Sequence, residues 1–387
     1  MPRASGTKLG ACRAGSGYAR MVVTGVMIAL IVQGSSARAF EWQTAAPESQ
    51  GLDAAALAAM STDLQGRGTK ALLVIRHDRI VHEWYAPGMS RTTKHYTASL
   101  AKAIVGGTSL MLAIDDGLLS PDDLACKYVS SWRDDPVKSK ITIRHLATHT
   151  SGIEDAEADG KPHDQLPGWK GEFWKQEPNP FLTARDLAPV LSAPGTQSAY
   201  SNPGMAMLSY CVAAALREAP QSDVRALLTE RLMDPIGVPR GEWGMGYGRS
   251  FELDGLTLCA NWGGGGYSPN AVARIGRFML RRGDWDGVRL VSPETVDLVA
   301  ADAGVPPGGQ PGSGRRSGLC WWVNADGAVA GVPRDAFFGS GAGNQLLAVI
   351  PSLDLIVVRN GAQVSPEGHW EGVENRLLGP LMAALAP

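Results

Sequence analysis

Cysteine is scarce in this chain, five in 387 residues, which excludes a disulfide-built scaffold. Cys12 lies in a stretch read below as a removable leader. The remaining Cys126, Cys211, Cys259 and Cys320 allow three pairings that sequence does not choose between, and buried free thiols fit them at least as well. Charge is also sparse: 19% of residues are charged against 44% hydrophobic, a globular balance that excludes a disordered chain. No basic stripe is present, which argues against a nucleic-acid surface.

Several catalytic signatures are missing as well. There is no Gly-x-Ser-x-Gly, which argues against an α/β-hydrolase elbow. The glycines at 263–266 lack a following Lys-Ser/Thr, and Gly244–Gly248 and Gly339–Gly343 lack the full dinucleotide fingerprint, so these read as turns. His145 and His149 are spaced like zinc ligands on a helix, but no Glu follows His145. The acid pairs Asp115-Asp116, Asp122-Asp123 and Asp134-Asp135 read as helix-end caps, not as a glycosidase pair. Neither a metal nor a cofactor is expected.

What is present begins with an export pattern. Arg3, Lys8, Arg13 and Arg20 precede the apolar run Met21–Val32, and Ala37-Arg38-Ala39 follows as a small-residue cleavage site before Phe40. The run is too short to span a bilayer comfortably, so a periplasmic or secreted location is expected. An uncleaved N-terminal anchor is the alternative. Cleavage would remove basic residues and no acidic ones from a chain with 36 Lys and Arg and 38 Asp and Glu, leaving an acidic mature protein.

Hydrophobic periodicity divides the rest. Asp53 opens a helix to about Gln65, and Ala71–Arg76 and Ile80–Tyr85 read as a hairpin around His77-Asp78-Arg79. Ser99–Asp116 is a helix stopped by Gly117, and Ser120-Pro121 reads as the start of another. Residues 154–180 read as a long polar loop, a lid or cleft wall. Helices follow at Thr183–Leu191, at Pro203–Arg217 with Asn202 as cap, and at Asp223–Met233. After a helix at Asn270–Arg282 and a Gly/Pro loop over 302–318, strands are expected at Leu319–Val323, Asn344–Ile350 and Leu355–Val358. A last helix covers Glu371–Leu385. Strands at both ends with helices between predict one antiparallel sheet built from both termini. An α/β part of about 40–115 and 240–387 would then carry a helical insertion of about 116–239.

The chemistry-bearing residues are Ser99-Leu100-Ala101-Lys102 and Tyr200-Ser201-Asn202. Ser-x-x-Lys alone is a cheap match; Ser5-Gly6-Thr7-Lys8 repeats it inside the leader. Ser99 differs by standing in the first turn of an apolar helix, where backbone N–H groups favour developing negative charge. Lys102, three residues on, shares its face, and apolar surroundings would disfavour its charged form and make it a proton acceptor. Tyr200 sits on a loop between Pro194-Gly195 and a proline-started helix, where a neighbouring Lys102 would favour tyrosinate. The bland readings are a capping serine, a solvated lysine, a buried tyrosine with a satisfied hydroxyl and an N-cap asparagine.

The ordered pair Ser99-x-x-Lys102 and Tyr200-x-Asn202 resembles the serine β-lactamase-related hydrolases. That group takes in class C β-lactamases, D-alanyl-D-alanine peptidases, family VIII carboxylesterases and 6-aminohexanoate-oligomer hydrolases. The stretches Ile143–Ile153, Tyr200–Gly204 and Gly263 through Ser292-Pro293-Glu294 extend the resemblance over most of the chain. It implies a β-lactamase/transpeptidase-like fold, with Ser99 as nucleophile, Lys102 and Tyr200 as its activating pair, and Asn202 as a contact to a substrate amide. In the family a third motif, Lys-Thr-Gly or a variant of it, lines the site. This chain has none, and Gly339-Ser340-Gly341 stands in the matching place. The resemblance then puts Gly341 and Ala342 at the oxyanion position, with the Ala342 N–H opposite that of Ser99.

Loss of the cation removes a partner for the carboxylate of β-lactams and D-alanyl peptides, unless Arg334 or Arg359 replaces it. A charge-assisted bond of that kind contributes about 1.5–3 kcal/mol. The expectation is therefore a serine hydrolase acting on small-molecule esters or uncharged amides. A penicillin-recognising peptidase or β-lactamase, and a silent binding or scaffold relative, remain the alternatives. No oligomeric state follows.

Overall fold

Apolar residues run without interruption through Ala71–Ile75, Leu346–Ile350 and Leu355–Val358, and such runs need strands covered on both faces. In the computed structural model, which describes residues 40–158, 160–306 and 315–385, these runs form the centre of a seven-stranded sheet. The leader expected over residues 1–39, and residues 307–314 of the loop expected over 302–318, lie outside the described residues. From Phe40 onward the chain forms one compact unit.

The sheet takes β1 (Gln43–Thr44), β2 (Thr69–Arg76) and β3 (Arg79–Tyr85) from one side of the sequence. It takes β4 (Trp322–Val323), β5 (Phe337–Gly341), β6 (Gln345–Ile350) and β7 (Leu355–Gly361) from the other. Their order is β1-β3-β2-β7-β6-β5-β4. Antiparallel pairing of β2 with β7 joins the two halves at the centre. The sheet is mixed, because the short edge strand β1 runs parallel to β3. The β2–β3 hairpin turns at His77 and Asp78, both with positive φ, the two-residue turn whose twist matches the strands.

Side-chain alternation sends Leu72, Val74, Ala348 and Val357 to one face. There they share a core with Leu57, Met60 and Leu64 of α1 (Ala54–Gly66). The C-terminal helix α10 also packs there, beginning at His369–Val373 and continuing through Gly379–Ala383. Leu73, Leu347, Val349, Ile356 and Val358 face the larger core, which takes in α2 (Ala98–Asp115) and α8 (Pro269–Leu280).

Between the two halves lie α3 (Ile143–Ala147), α4 (Gly168–Lys175), α5 (Pro180–Leu182, continued by Thr183–Leu187), α6 (Asn202–Ala215) and α7 (Val224–Leu228, continued by Thr229–Met233). A further helix, α9 (Pro293–Ala300), follows α8.

Several sequence expectations are corrected here. Ser120-Pro121 starts no helix: the Asp123 carboxylate accepts from the Ser120 N–H and the Tyr128 hydroxyl, closing a turn instead. The polar stretch 154–180 contains α4, whose Phe173 is fully buried against Trp262. The helix expected to reach Leu191 stops at Leu187, because Pro189 disfavours helical backbone at Ala188. The cap of α6 is Ser201, which accepts from the Gly204 N–H; Asn202 is already inside the helix. Two small hairpins add to the expected elements: Asp254-Gly255 and Asp286-Gly287 each turn with two positive φ values. The four cysteines from Cys126 onward are free thiols, and three of them are buried.

Candidate active site

The first turn of α2 carries Ser99, and its geometry is unusual at two points. Ala98 has φ 45, a left-handed conformation that costs a residue with a Cβ. Lys102 then opens a π-helical segment, Lys102–Gly107, a departure from regular helix frequent at functional sites. The turn is anchored from below by Thr97, whose hydroxyl donates to the Gly264 carbonyl at 2.5 Å. That places the glycine run directly beneath the serine. Gly264 and Gly265 both hold positive φ there, and a Cβ on Gly265 would lie 2.3 Å from the Gly244 carbonyl oxygen.

Ser99, Lys102 and Tyr200 converge. The Tyr200 hydroxyl donates to Ser99 Oγ at 2.7 Å, and Lys102 Nζ lies 3.1 Å from the same oxygen. Lys102 is buried and its Nζ also donates to Asn202 Oδ1 at 2.7 Å and to the Trp262 carbonyl at 2.5 Å. Burial pushes the Lys102 pKa down to about 7, against the pull of Asp155 and Glu157. A neutral amine has two N–H bonds and one lone pair. With Asn202 and Trp262 taking the two protons, the lone pair is left for the Ser99 hydroxyl.

Tyr200 behaves differently from the expectation. Burial pushes its pKa well above 10, opposed by the Ser99 hydrogen bond, so it is held as a phenol and not as tyrosinate. Lys102 Nζ lies over the ring face, 4.6 Å from its centroid, and not beside the oxygen. Asp155 and Glu157 oppose ionisation further.

The loop bearing Tyr200 is braced by the stretch around His149. His149 takes positive φ, its carbonyl accepts from the Ala199 N–H at 2.8 Å, and its Nδ1 accepts from the Ser201 N–H at 3.2 Å. Its ring lies 4.5 Å from that of Tyr200. Burial, and then Lys102, push the His149 pKa down to about 3, so the ring is a neutral brace.

Asn202 is placed differently from a substrate contact. Its Oδ1 faces Lys102 and its Nδ2 donates to Asp155 Oδ1 at 3.0 Å, while its backbone N–H donates to the same oxygen at 2.8 Å. Asp155 thus fixes which end of the amide meets the lysine. Burial raises the Asp155 pKa, with the Asn202 donors and Lys102 pulling the other way. Sequence reasoning missed Asp155, which lay in a stretch read as loop with no local signature.

Gly341 and Ala342 reach the same place from the sheet. A Cβ on Gly341 would lie 2.5 Å from the Thr97 oxygen and 2.9 Å from the Ser99 nitrogen, so β5 approaches the Ser99 turn as closely as backbone allows. A Cβ on Gly339 would lie 2.6 Å from Leu100 Cδ1. Ala342 lines a cavity of about 360 Å³ with Ser99, Lys102, Tyr200, Ser340 and Gly341. Trp321, Trp322 and Trp370 add apolar wall, and Glu157 a carboxylate.

Neither arginine considered as a replacement cation lines this cavity. Arg359 is 1% exposed and its guanidinium donates to Thr69 Oγ1 and to the carbonyls of Gly343 and Asn344. Arg334 donates to the Ala325 carbonyl and lines a separate groove.

The model of the beta-lactamase family matches residues 55–369 of this chain. A 6-aminohexanoate-dimer hydrolase of Paenarthrobacter ureafaciens is 26% identical over 357 residues, covering 85% of this chain and 83% of the relative. Among solved structures, a family VIII carboxylesterase superposes with a TM-score of 0.66 at 14% identity, covering 89% of this chain and 99% of the other. EstCE1, a hydrolase with promiscuous acyltransferase activity, superposes with a TM-score of 0.61 at 18% identity, covering 86% and 100%. At these identities the two structures speak for the fold.

Proposed function

The chain belongs to the beta-lactamase family, whose members are serine hydrolases of this fold, and on that premise we propose that it hydrolyses esters or uncharged amides through an acyl-serine intermediate on Ser99. The observation that carries the reading is the Ser99 hydroxyl, held between a buried amine and a phenol in a cavity whose lining, among the described residues, has no cation except that amine. Lys102 Nζ takes the Ser99 proton as Oγ bonds to the carbonyl carbon. The backbone N–H groups of Ser99 and Ala342 hold the oxyanion. The bond to the leaving group breaks as Tyr200 gives its phenol proton to the departing oxygen or nitrogen, and Tyr200 is reprotonated from the Lys102 ammonium, which restores the neutral amine. Water then attacks the ester with Lys102 as base, and the proton returns to Ser99.

Cavity chemistry supports the choice of substrate. Three tryptophans wall it in part, and among the described residues its one exposed charge is the Glu157 carboxylate, a poor setting for a substrate carboxylate beside the scissile bond. The relative named for an amide-linked dimer extends the reading from esters to amides. Export is part of the proposal: the basic and apolar stretch before Ala37-Arg38-Ala39 ends where the compact unit begins, at Phe40. N-terminal sequencing of protein recovered from the periplasm or medium should begin at Phe40; recovery of the intact chain in the membrane fraction would favour an anchor.

The test is intact-mass analysis of the protein with p-nitrophenyl butyrate and, separately, a chromogenic cephalosporin. A transient acyl adduct on Ser99 with fast release from the ester and slow cephalosporin turnover is expected. Cephalosporin hydrolysis as efficient as ester hydrolysis would overturn the substrate choice in favour of a penicillin-recognising enzyme. In Ser99→Ala the adduct disappears and the far-ultraviolet circular dichroism stays unchanged; unaltered hydrolysis would remove Ser99 from the mechanism.

A further inference from the structure

Ser340 sits in the cavity beside Ser99, and its Oγ lies 2.6 Å from His369 Nε2, its one polar side-chain partner among the described residues. His369 Nδ1 in turn lies 3.3 Å from Asn344 Nδ2. On paper this is a serine–histidine–asparagine triad, a second nucleophile in the same cleft. The hydrogen-bond directions exclude that. Asn344 is buried and its amide is fixed by two backbone groups: the Val364 N–H donates to Oδ1 at 2.9 Å, and Nδ2 donates to the His369 carbonyl at 2.6 Å. The atom facing His369 Nδ1 is therefore a donor, and Nδ1 must accept.

A neutral imidazole that accepts at Nδ1 carries its proton on Nε2. Burial first, and then the nearby Arg315 and Arg359, push the His369 pKa down to about 4, which keeps the ring neutral at ordinary pH. Nε2–H then donates to Ser340 Oγ. A general base for Ser340 would need the opposite tautomer. With its oxygen occupied as acceptor, the Ser340 hydroxyl must point its own proton elsewhere, and the cavity is the open direction.

Building on the acyl-serine reading above, we infer that His369 is a positioning residue: held by Asn344 with its proton on Nε2, it turns the Ser340 hydroxyl into a fixed donor to the substrate, selecting uncharged substrates that carry a hydrogen-bond acceptor beside the scissile carbonyl. The donor is neutral, so it recognises an ether or carbonyl oxygen without needing a carboxylate. A bond of this kind supports roughly fivefold discrimination, the scale of one neutral hydrogen bond.

Two measurements test it. Nitrogen-15 spectra of histidine-labelled protein, with the His369 signals identified by their loss in His369→Phe, report the tautomer without any need for turnover. Proton on Nε2 and a bare Nδ1 are expected; proton on Nδ1 would overturn the proposal. In parallel, kcat/KM is compared for p-nitrophenyl methoxyacetate and p-nitrophenyl butyrate, which differ by one oxygen in place of a methylene. The ratio of the two should fall about fivefold in Ser340→Ala and in His369→Phe, and should be retained in Ser340→Thr. An unchanged ratio in Ser340→Ala overturns the donor role; a fall there without one in His369→Phe overturns the part given to His369. Absence of any Ser99 adduct with either ester is a separate outcome, which overturns the acyl-serine reading while the tautomer measurement still decides the hydrogen-bond direction.

Discussion

In the proposed mechanism a single side chain, Lys102, sets the pH range of the chemistry. Its folded pKa of about 7 means that the neutral amine needed as proton acceptor becomes the major form only above that value. The rate of ester hydrolysis should therefore climb about tenfold per pH unit below 7 and level off above it, as read from kcat/KM between pH 5 and 9 on an uncharged ester. A profile flat across that range would remove Lys102 as the base. Lys102→Arg keeps the cation and removes the titration, and is expected to lose at least about a hundredfold in kcat/KM, the scale of lost general-base catalysis. Of the site residues, Ser99, Lys102 and Tyr200 were legible in sequence because their spacing along the chain is the motif. Asp155, His149 and the Trp262 carbonyl were not legible, because each acts by contact with a residue remote in sequence or through its backbone.

Among the elements, α8 shows how closely the helical layer meets the sheet. A Cβ on Gly276 would lie 2.9 Å from both Ile356 Cγ2 and Leu347 Cδ1, so the helix rests on β6 and β7 at glycine distance. Gly276→Val overpacks this seam and should destabilise by about 1–3 kcal/mol, measured as a lower urea midpoint, with kcat/KM at 25 °C little changed. Unchanged stability would mean that the helix shifts freely, against the close packing described. The neighbouring lesson is at β5. Because a Cβ at Gly339 runs into Leu100 and Ala103, Gly339→Lys should not simply restore a carboxylate-binding lysine. Loss of stability without gain of cephalosporin turnover is expected, compared by thermal melting and a chromogenic assay. The long strands and α1, α6 and α8 were readable from periodicity. The hairpins at Asp254-Gly255 and Asp286-Gly287 carried a turn signal that flanking strands of two to four residues made easy to overlook.

For the molecule as a whole, buried neutral histidines set the acid limit of stability. His149 is lowered from an ordinary 6.5 to about 3 and His369 to about 4, both chiefly by burial. The unfolded chain thus binds protons at these sites that the folded chain refuses. The histidine contribution to stability is complete above about 6.5 and is lost as pH drops from there towards 4 and 3, each unit of separation contributing about 1.4 kcal/mol per group. Lys102 acts in the other range: with a folded pKa of about 7 against 10.5, its burial cost shrinks as pH rises between those values. Urea midpoints should accordingly fall steeply between pH 6 and 4. A midpoint constant over that interval would show that these rings are accessible and charged in the folded protein.

The amino-acid sequence by itself determined the long strands β2, β3, β6 and β7, the main helices and the motifs that carry Ser99, Lys102 and Tyr200, because periodicity and short motifs are local properties that hydrophobic burial and helix geometry enforce directly. Only the tertiary structure decided the protonation and direction of each group. Burial makes Lys102 an amine and Tyr200 a phenol; Asp155 turns Asn202 toward the lysine; the backbone around Asn344 orients His369 and Ser340. Desolvation and hydrogen-bond direction depend on which remote atoms close around a group, and no spacing along the chain encodes them.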